Sequence, residues 1–202
     1  MSVVEIHRFL ASDAFIADQS IAKQLLDILK GIKGQIRRYY GLQVEDNKTG
    51  FLVLVWESYE DFADIKNNPS YSAIIEVFKT LHMEGPQSQI HVLFNGDTTP
   101  VFNAPVTEFT FANAKEGVVS TIEERKKGFD AILTKLKPAQ GLHGVVSGEI
   151  RGDPDTLSAV LGWDSVDAHI QAITAEELKP ALDNFMRIAV PVTPHAKLTR
   201  HE

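Results

Sequence analysis

The 202-residue sequence contains no cysteine. Disulfides, thiol nucleophiles and cysteine-ligated metals are therefore excluded, and we expect a cytoplasmic protein. The sequence also lacks any run of about 18 apolar residues, so it predicts no membrane span. The stretch from Met1 to His7 has neither a basic region nor an apolar signal core, which argues against secretion. Lys and Arg are scattered and the net charge is −7, so nucleic acid is not an expected partner.

One pattern of an apolar strand followed by a capped helix occurs twice. Leu52–Trp56 is nearly continuously apolar, ends in Trp and is followed by Ser58 as a helix N-cap. Val160–Trp163 and Ser165 repeat this pattern 107 positions later. When 107 is added to positions 26–78, twelve of the 53 aligned positions are identical without a gap. We infer an internal duplication, which is the first feature to establish in predicting a fold.

Each half shows the same order of predicted elements. Apolar residues at spacings of three and four predict helices, and short β-branched and aromatic runs predict strands. The order in each half is βαββαβ, which is the ferredoxin-like split unit. We predict a first unit over residues 1–95, a linker over 96–105 that contains Gly96 and Pro100, and a second unit over 106–202. The last predicted strand of the second unit covers 190–200.

The apolarity of the third strand in each half has a consequence for the fold class. A strand without polar alternation is buried on both faces. The two helices of a βαββαβ unit cover only one face of its sheet, so the other face needs a second sheet. The sequence therefore predicts an α+β fold in which two tandem ferredoxin-like units pack their antiparallel sheets into an intramolecular α+β barrel.

These residues resemble a known superfamily. The stretch Val55–Phe62 followed by Asn68–Tyr71 is similar to the antibiotic-biosynthesis-monooxygenase branch of the dimeric α+β barrel superfamily. In the second half, Trp163–Ser165 and His169 fit the same pattern, without an equivalent of the Ser-Tyr pair. The superfamily includes cofactor-free oxygenases, haem-degrading enzymes, polyketide cyclases, isomerases and stress-induced proteins, so the resemblance is more specific for fold than for function.

The resemblance and the pattern together indicate candidate site residues. Resemblance implies that Trp56 and Trp163 line a cavity between sheet and helices, with Tyr71 beside Trp56; the alternative is that each Trp only fills core volume. His7 shares a strand face with Glu5 and Phe9, where an imidazole can act as a base, unless it is a hydrogen-bonded structural residue. His91 on the fourth strand is a similar candidate, and His195 is another in the second half.

Two further candidates distinguish the halves. His169 lies one helical turn after Ser165, where the superfamily often has His, and Phe62 takes this place in the first half. The alternative is that His169 is an exposed helix residue. Arg38 and Tyr40 share a strand face and are candidates for binding an anionic or phenolic ligand; alternatively they form an exposed strand edge or a subunit contact.

No cofactor is predicted. Haem-degrading relatives carry their iron-ligating His after the break in the second helix, and the matching stretches 72–75 and 179–182 contain none. No His and carboxylate occur at helical ligand spacing, so the sequence predicts no metal site.

The leading hypothesis is a cofactor-independent enzyme, either a monooxygenase or a cyclase/isomerase. It would act on a small aromatic or polyketide-like molecule in an apolar cavity, with His7 and His169 as catalytic candidates. Whether the protein is an enzyme stays open, because no decisive acid–base constellation is present. The alternative is a non-catalytic small-molecule-binding or stress-associated protein. Two fused units can form the barrel within one chain, so a monomer with an internal pseudo-dimer is expected, with a homodimer as the other possibility.

Overall fold

The computed structural model describes residues 2–202, apart from the side chain of Pro86. The chain forms two compact units. The first contains the chain up to Leu93 together with Ala196–Glu202, and the second contains Phe94–His195. The predicted boundaries 1–95, 96–105 and 106–202 stay a prediction. No helix among the described residues is long and apolar enough to span a membrane.

The first unit has the predicted order of strands and helices. Its elements are β1 (Val3–Ala11), α1 (Asp13–Ala17), α2 (Ala22–Lys30), β2 (Gln35–Gln43), β3 (Thr49–Trp56), α3 (Tyr59–Asp64), α4 (Tyr71–Leu81) and β4 (His82–Phe94). β1 pairs antiparallel with both β3 and β4, and β2 pairs with β3. The sheet order β4-β1-β3-β2 is that of a ferredoxin-like unit, because the first and third strands are central.

The second unit repeats this arrangement. Its elements are α5 (Thr99–Phe102), β5 (Val106–Ala114), α6 (Ile122–Leu136), β6 (Leu142–Ile150), β7 (Asp153–Trp163), α7 (Val166–Ile173), α8 (Lys179–Met186) and β8 (Ala189–Val192). β5 pairs with β7 and β8, and β6 pairs with β7. The order β8-β5-β7-β6 matches that of the first unit. The α+β class with two ferredoxin-like units is therefore confirmed.

Two details at the ends of the second half differ from the prediction. The predicted linker contains the short helix α5, whose Val101 and Phe102 are buried. The predicted last strand is divided by Thr193 and Pro194 into β8 and β9 (His195–His201), and β9 pairs with β2 of the first unit from Ala196 onward. Pro194 has no N–H to donate between strands, although its carbonyl still accepts from the Phe109 N–H at 2.9 Å.

Side-chain caps explain where α3 and α7 begin. The Ser58 hydroxyl accepts a hydrogen bond from the backbone N–H of Asp61 at 3.1 Å, and Ser165 caps α7 in the same way through Ala168. Pro69 cannot extend a helix, and α3 and α4 are accordingly separate. Apolar residues of α2 and α4, including Leu25, Leu29 and Ile74, pack with Leu52 and Leu54 in one core.

Candidate functional site

A buried carboxylate lies at the centre of the first unit's sheet. Glu5 on β1 is 3% exposed. Its Oε2 accepts a hydrogen bond from the Trp56 indole N–H at 2.8 Å, and its Oε1 accepts one from Gln89 at 2.5 Å. The same Oε1 lies 2.6 Å from His7 Nε2. Side chains from β1, β3 and β4 therefore contact this one carboxylate.

The surroundings of Glu5 determine its charge. Burial alone would raise the pKa of this carboxyl, because a charge is poorly solvated there. The positive charge of His7 and the hydrogen bonds from His7, Gln89 and Trp56 outweigh burial, so the pKa of Glu5 is lowered. Glu5 is therefore a carboxylate at neutral pH, positioned to hold the His7 ring and to stabilise it when protonated.

The Glu5–His7 pair faces a cavity of about 510 Å³ between the sheet and the helices. Its walls are mainly apolar, and the polar groups are grouped on β1, β4 and the turn after α3. The lining residues are Glu5, His7, Leu25, Leu29, Leu52, Leu54, Phe62, Ile65, Lys66, Tyr71, Ile74, Ile75, Phe78, Gln87, Ser88 and Gln89. The His7 ring packs against Phe78, with centroids 5.2 Å apart. An apolar chamber with a few convergent polar groups is the usual form of a small-molecule site.

The structure brings together some of the predicted residues of the first half. His7 and Tyr71 both line the cavity. Trp56 is fully buried and its indole N–H donates to Glu5. Trp56 does not line the cavity. His91 lies opposite Glu5 on β4 and packs its ring 4.1 Å from that of Phe62. His91 is not part of the cavity lining.

The basic-aromatic pair on β2 lies elsewhere. Arg38 and Tyr40 are 6% and 4% exposed, so the predicted alternative of an exposed strand edge is wrong. Burial lowers the pKa of Arg38 and raises the pKa of Tyr40. Tyr40 packs in the core of the first unit, and neither residue lines the cavity. Their proposed contact with a ligand stays a prediction.

The second unit contains a related arrangement of a buried carboxylate and a Trp. Glu108 accepts a hydrogen bond from the Trp163 indole N–H at 2.7 Å and one from Thr110 at 2.5 Å. His169 Nε2 lies 3.4 Å from Glu108 Oε2, and His169 Nδ1 lies 2.8 Å from His195 Nε2. His169 is 3% exposed, so the alternative of an exposed helix residue is wrong. Two grooves in this unit are lined by residues of α6, α7 and α8, and His169 and Trp163 are not among them.

The two centres occupy equivalent places. Val3 pairs with Trp56 and Val106 pairs with Trp163, which aligns Glu5 with Glu108 at a shift of 103 residues (108 − 5). The shift of 107 found for positions 26–78 does not reach these strands, and the role of Glu108 was therefore missed. The signal in the sequence is a Glu at the third position of the first strand of each half. The halves differ at one position of this centre, where the first unit has Phe62 and the second has His169.

Comparison with solved structures supports the fold. No protein-family model matches the chain, and no curated protein matches it. A proposed monooxygenase from Fusobacterium nucleatum is similar over 100% of this chain and 94% of its own, with a TM-score of 0.74 and 14% identity. A proposed monooxygenase from Lactobacillus acidophilus covers 98% of this chain and 93% of its own, with a TM-score of 0.65 and 10% identity.

A heme-binding protein from Thermus thermophilus is also similar, over 98% of this chain and 90% of its own, with a TM-score of 0.59 and 12% identity. At these identities the likeness shows the fold alone. The chain therefore has the same α+β fold as these solved structures, and the resemblance drawn from the sequence is confirmed at the level of fold.

Proposed function

We propose that the first unit is the active unit of a cofactor-independent enzyme, a monooxygenase or a cyclase/isomerase, acting on a small aromatic or polyketide-like molecule. The observation that carries this proposal is the Glu5–His7 pair, 2.6 Å apart, facing a mainly apolar cavity. The likeness to two proposed monooxygenases supports the same interpretation of the fold.

The dimensions of the cavity suit such a substrate. Its volume of about 510 Å³ lies within the range of roughly 300–1,000 Å³ that is usual for small-molecule sites. Leu52, Leu54 and Phe78 offer apolar surface to a ring system. Gln87 and Ser88 offer hydrogen bonds to hydroxyl or carbonyl groups at its edge. A planar molecule with a few oxygen substituents matches both sets of contacts.

The chemistry follows from the Glu5–His7 pair. His7 would remove a proton from a phenol or an activated CH₂ group of the substrate, and Glu5 would stabilise the imidazolium that forms. In an oxygenase reaction, the resulting anion donates its electrons to O₂, and a C–O bond forms to give a hydroperoxide. Loss of water converts that group to a carbonyl, so CH₂ and O₂ give C=O and H₂O. In a cyclase or isomerase reaction, His7 would return the proton to another carbon.

The test uses oxygen uptake with a hydroxyanthrone as the substrate. We expect His7→Gln to lower the rate by roughly 10²–10⁴-fold, which is the usual contribution of a general base. His143→Gln is the matched control, because His143 forms a similar pair with Asp164 at 2.7 Å on an exposed surface. Equal rates for wild type and both variants would overturn the role of His7. Absence of uptake, together with absence of proton exchange at the substrate's acidic carbon, would overturn the enzyme proposal.

A second candidate is small-molecule binding without turnover. The observations that favour it are the apolar character of most of the cavity wall and the full-length likeness to a heme-binding protein. In this case, a hydroxyanthrone or haem would raise the melting temperature without being consumed. A Soret band that shifts on adding haem to wild type, and that is lost in His7→Gln, would favour haem as the occupant.

A further inference from the structure

Three buried side chains that can bind a metal meet in the second unit. Glu108 lies on β5, His169 on α7 and His195 at the start of β9, and their exposures are 3%, 3% and 4%. One ligand atom from each lies within 4.8 Å of the other two. These residues come from three separate elements, so no spacing in the sequence indicates the group, and the sequence accordingly predicted no metal site.

The chemistry of this group suits a metal ion. Two imidazoles and one carboxylate are the donor set of many catalytic zinc sites and of non-haem iron sites. Charged side chains are rarely so deeply buried unless they are paired or bind a metal, because an unsolvated charge costs several kcal/mol or more. A divalent cation would neutralise Glu108 and engage both rings in one place.

The distance between Glu108 and His169 agrees with the spacing of two metal ligands. His169 Nε2 and Glu108 Oε2 are 3.4 Å apart, which is long for a hydrogen bond. Bonds of 2.0–2.1 Å in a tetrahedral site place two ligand atoms about 3.3 Å apart. Trp163 and Thr110 donate to the two oxygens of Glu108 and so fix the orientation of the carboxylate. Such outer hydrogen bonds commonly orient metal ligands.

His195 needs one adjustment to join the site. Its Nε2 is 2.8 Å from His169 Nδ1, a hydrogen-bonding distance. In the metal-bound form this contact would open, and His195 Nε2 would turn toward the ion. Binding would then use one ring nitrogen of each imidazole as a ligand.

The first unit provides an internal comparison. At the equivalent positions it has Glu5, His91 and Phe62, so Phe62 stands where the second unit has His169. A Phe at this position packs against Trp56, with ring centroids 6.0 Å apart, as His169 packs against Trp163 at 5.3 Å. The exchange of Phe for His therefore adds a ligand while keeping the ring contact.

We propose that Glu108, His169 and His195 bind one divalent transition-metal ion in the second unit, with Zn²⁺ as the probe. Because the site is buried, the full chain should be unfolded and refolded with and without ZnCl₂, then dialysed. Bound zinc is measured by elemental mass spectrometry, and melting temperature is measured before and after addition of EDTA.

We expect about one zinc per chain for the wild type and a background level for His169→Phe, the substitution that copies the first unit. His143→Gln should retain the wild-type zinc content, because His143 belongs to an exposed pair outside the group. Zinc should raise the melting temperature of wild type and not of His169→Phe. If His169→Phe does not refold, Glu108→Gln serves as the second variant, since its carbonyl can still accept from Trp163.

Equal zinc contents in wild type, His169→Phe and Glu108→Gln would overturn the proposal. A wild type that refolds without retaining zinc would overturn it as well, and the three residues would then form a hydrogen-bonded chain only. Both results are independent of oxygen uptake, so failure here leaves the function proposed for the first unit unaffected.

Discussion

The substitution Glu5→Gln tests whether the charge of the buried carboxylate stabilises the first unit. Glutamine has nearly the same shape, and its carbonyl can still accept the Trp56 indole N–H. It carries no negative charge toward His7. Its own amide NH₂ group would face the NH₂ group of Gln89, which donates to Glu5 in the wild type. The variant therefore isolates the charge and its hydrogen bonds from the packing.

The contacts set the size of the expected effect. A hydrogen bond to a charged group contributes about 1.5–3 kcal/mol, and removing one partner of a buried pair costs about 3–5 kcal/mol when the other charge stays buried. The His7 side chain is 18% exposed, so water can replace part of the contact that the substitution removes. We therefore expect Glu5→Gln to lower the free energy of unfolding at pH 7 by about 2–3 kcal/mol.

The pH dependence has a defined sign. Folding lowers the pKa of Glu5 below its value in the unfolded chain. Its contribution to stability is therefore fully present above the unfolded pKa of about 4.3, and it is lost as the pH falls through the lower folded pKa. Glutamine does not titrate. The difference between wild type and Glu5→Gln should narrow as the pH falls below about 4.

Urea unfolding measures this difference. The Trp163→Phe background leaves Trp56 as the only Trp, so its fluorescence reports on the first unit even if the two units unfold separately. Glu57→Gln is the matched control, because Glu57 is exposed and follows Trp56 directly. Equal stability of wild type and Glu5→Gln at pH 7 would refute the reasoning, and so would a difference that widens as the pH falls.

Three further substitutions test how the units are built. In Gly41→Ala, the new Cβ would lie 1.9 Å from the backbone oxygen of Lys197, so β9 must separate from β2. We expect the free energy of unfolding, measured in urea, to fall by about 3 kcal/mol. Wild-type stability would contradict the observed strand pairing. Ser58→Ala and Ser165→Ala each remove a helix N-cap. Each should lower the free energy of unfolding by about 1 kcal/mol in the same assay. Unchanged unfolding midpoints would show that these caps do not stabilise the protein.

The elements were predictable where local chemistry determines them. The continuous apolarity of Phe51–Trp56 indicated a strand buried on both faces, and every residue of that stretch is buried. Asn67–Pro69 indicated a helix break, because proline removes a donor and clashes with the preceding turn. The final strand was less predictable, since the residues that β9 pairs with are more than 150 positions away in the sequence.

The candidate site was predictable only in part. His7 and Tyr71 were found from strand alternation and from the resemblance, and both line the cavity. The supporting contacts were not readable, because the bond from Trp56 to Glu5 depends on strand register across 51 positions. Glu108 was missed for the related reason that the first strands align at a shift of 103, outside the stretch aligned at 107.

The central claim is that the cavity facing His7 binds a small aromatic molecule. The most direct measurement is a fluorescence titration of wild type and Ile75→Trp with a hydroxyanthrone. Ile75 lines the cavity from α4 and is 37% exposed, so a larger ring there takes up cavity space and leaves the buried core unchanged. We predict saturable binding of one molecule per chain to wild type and at least roughly tenfold weaker binding to the filled variant, a loss of about 1.4 kcal/mol or more. Equal affinity in both proteins, or no binding to wild type, would contradict the account.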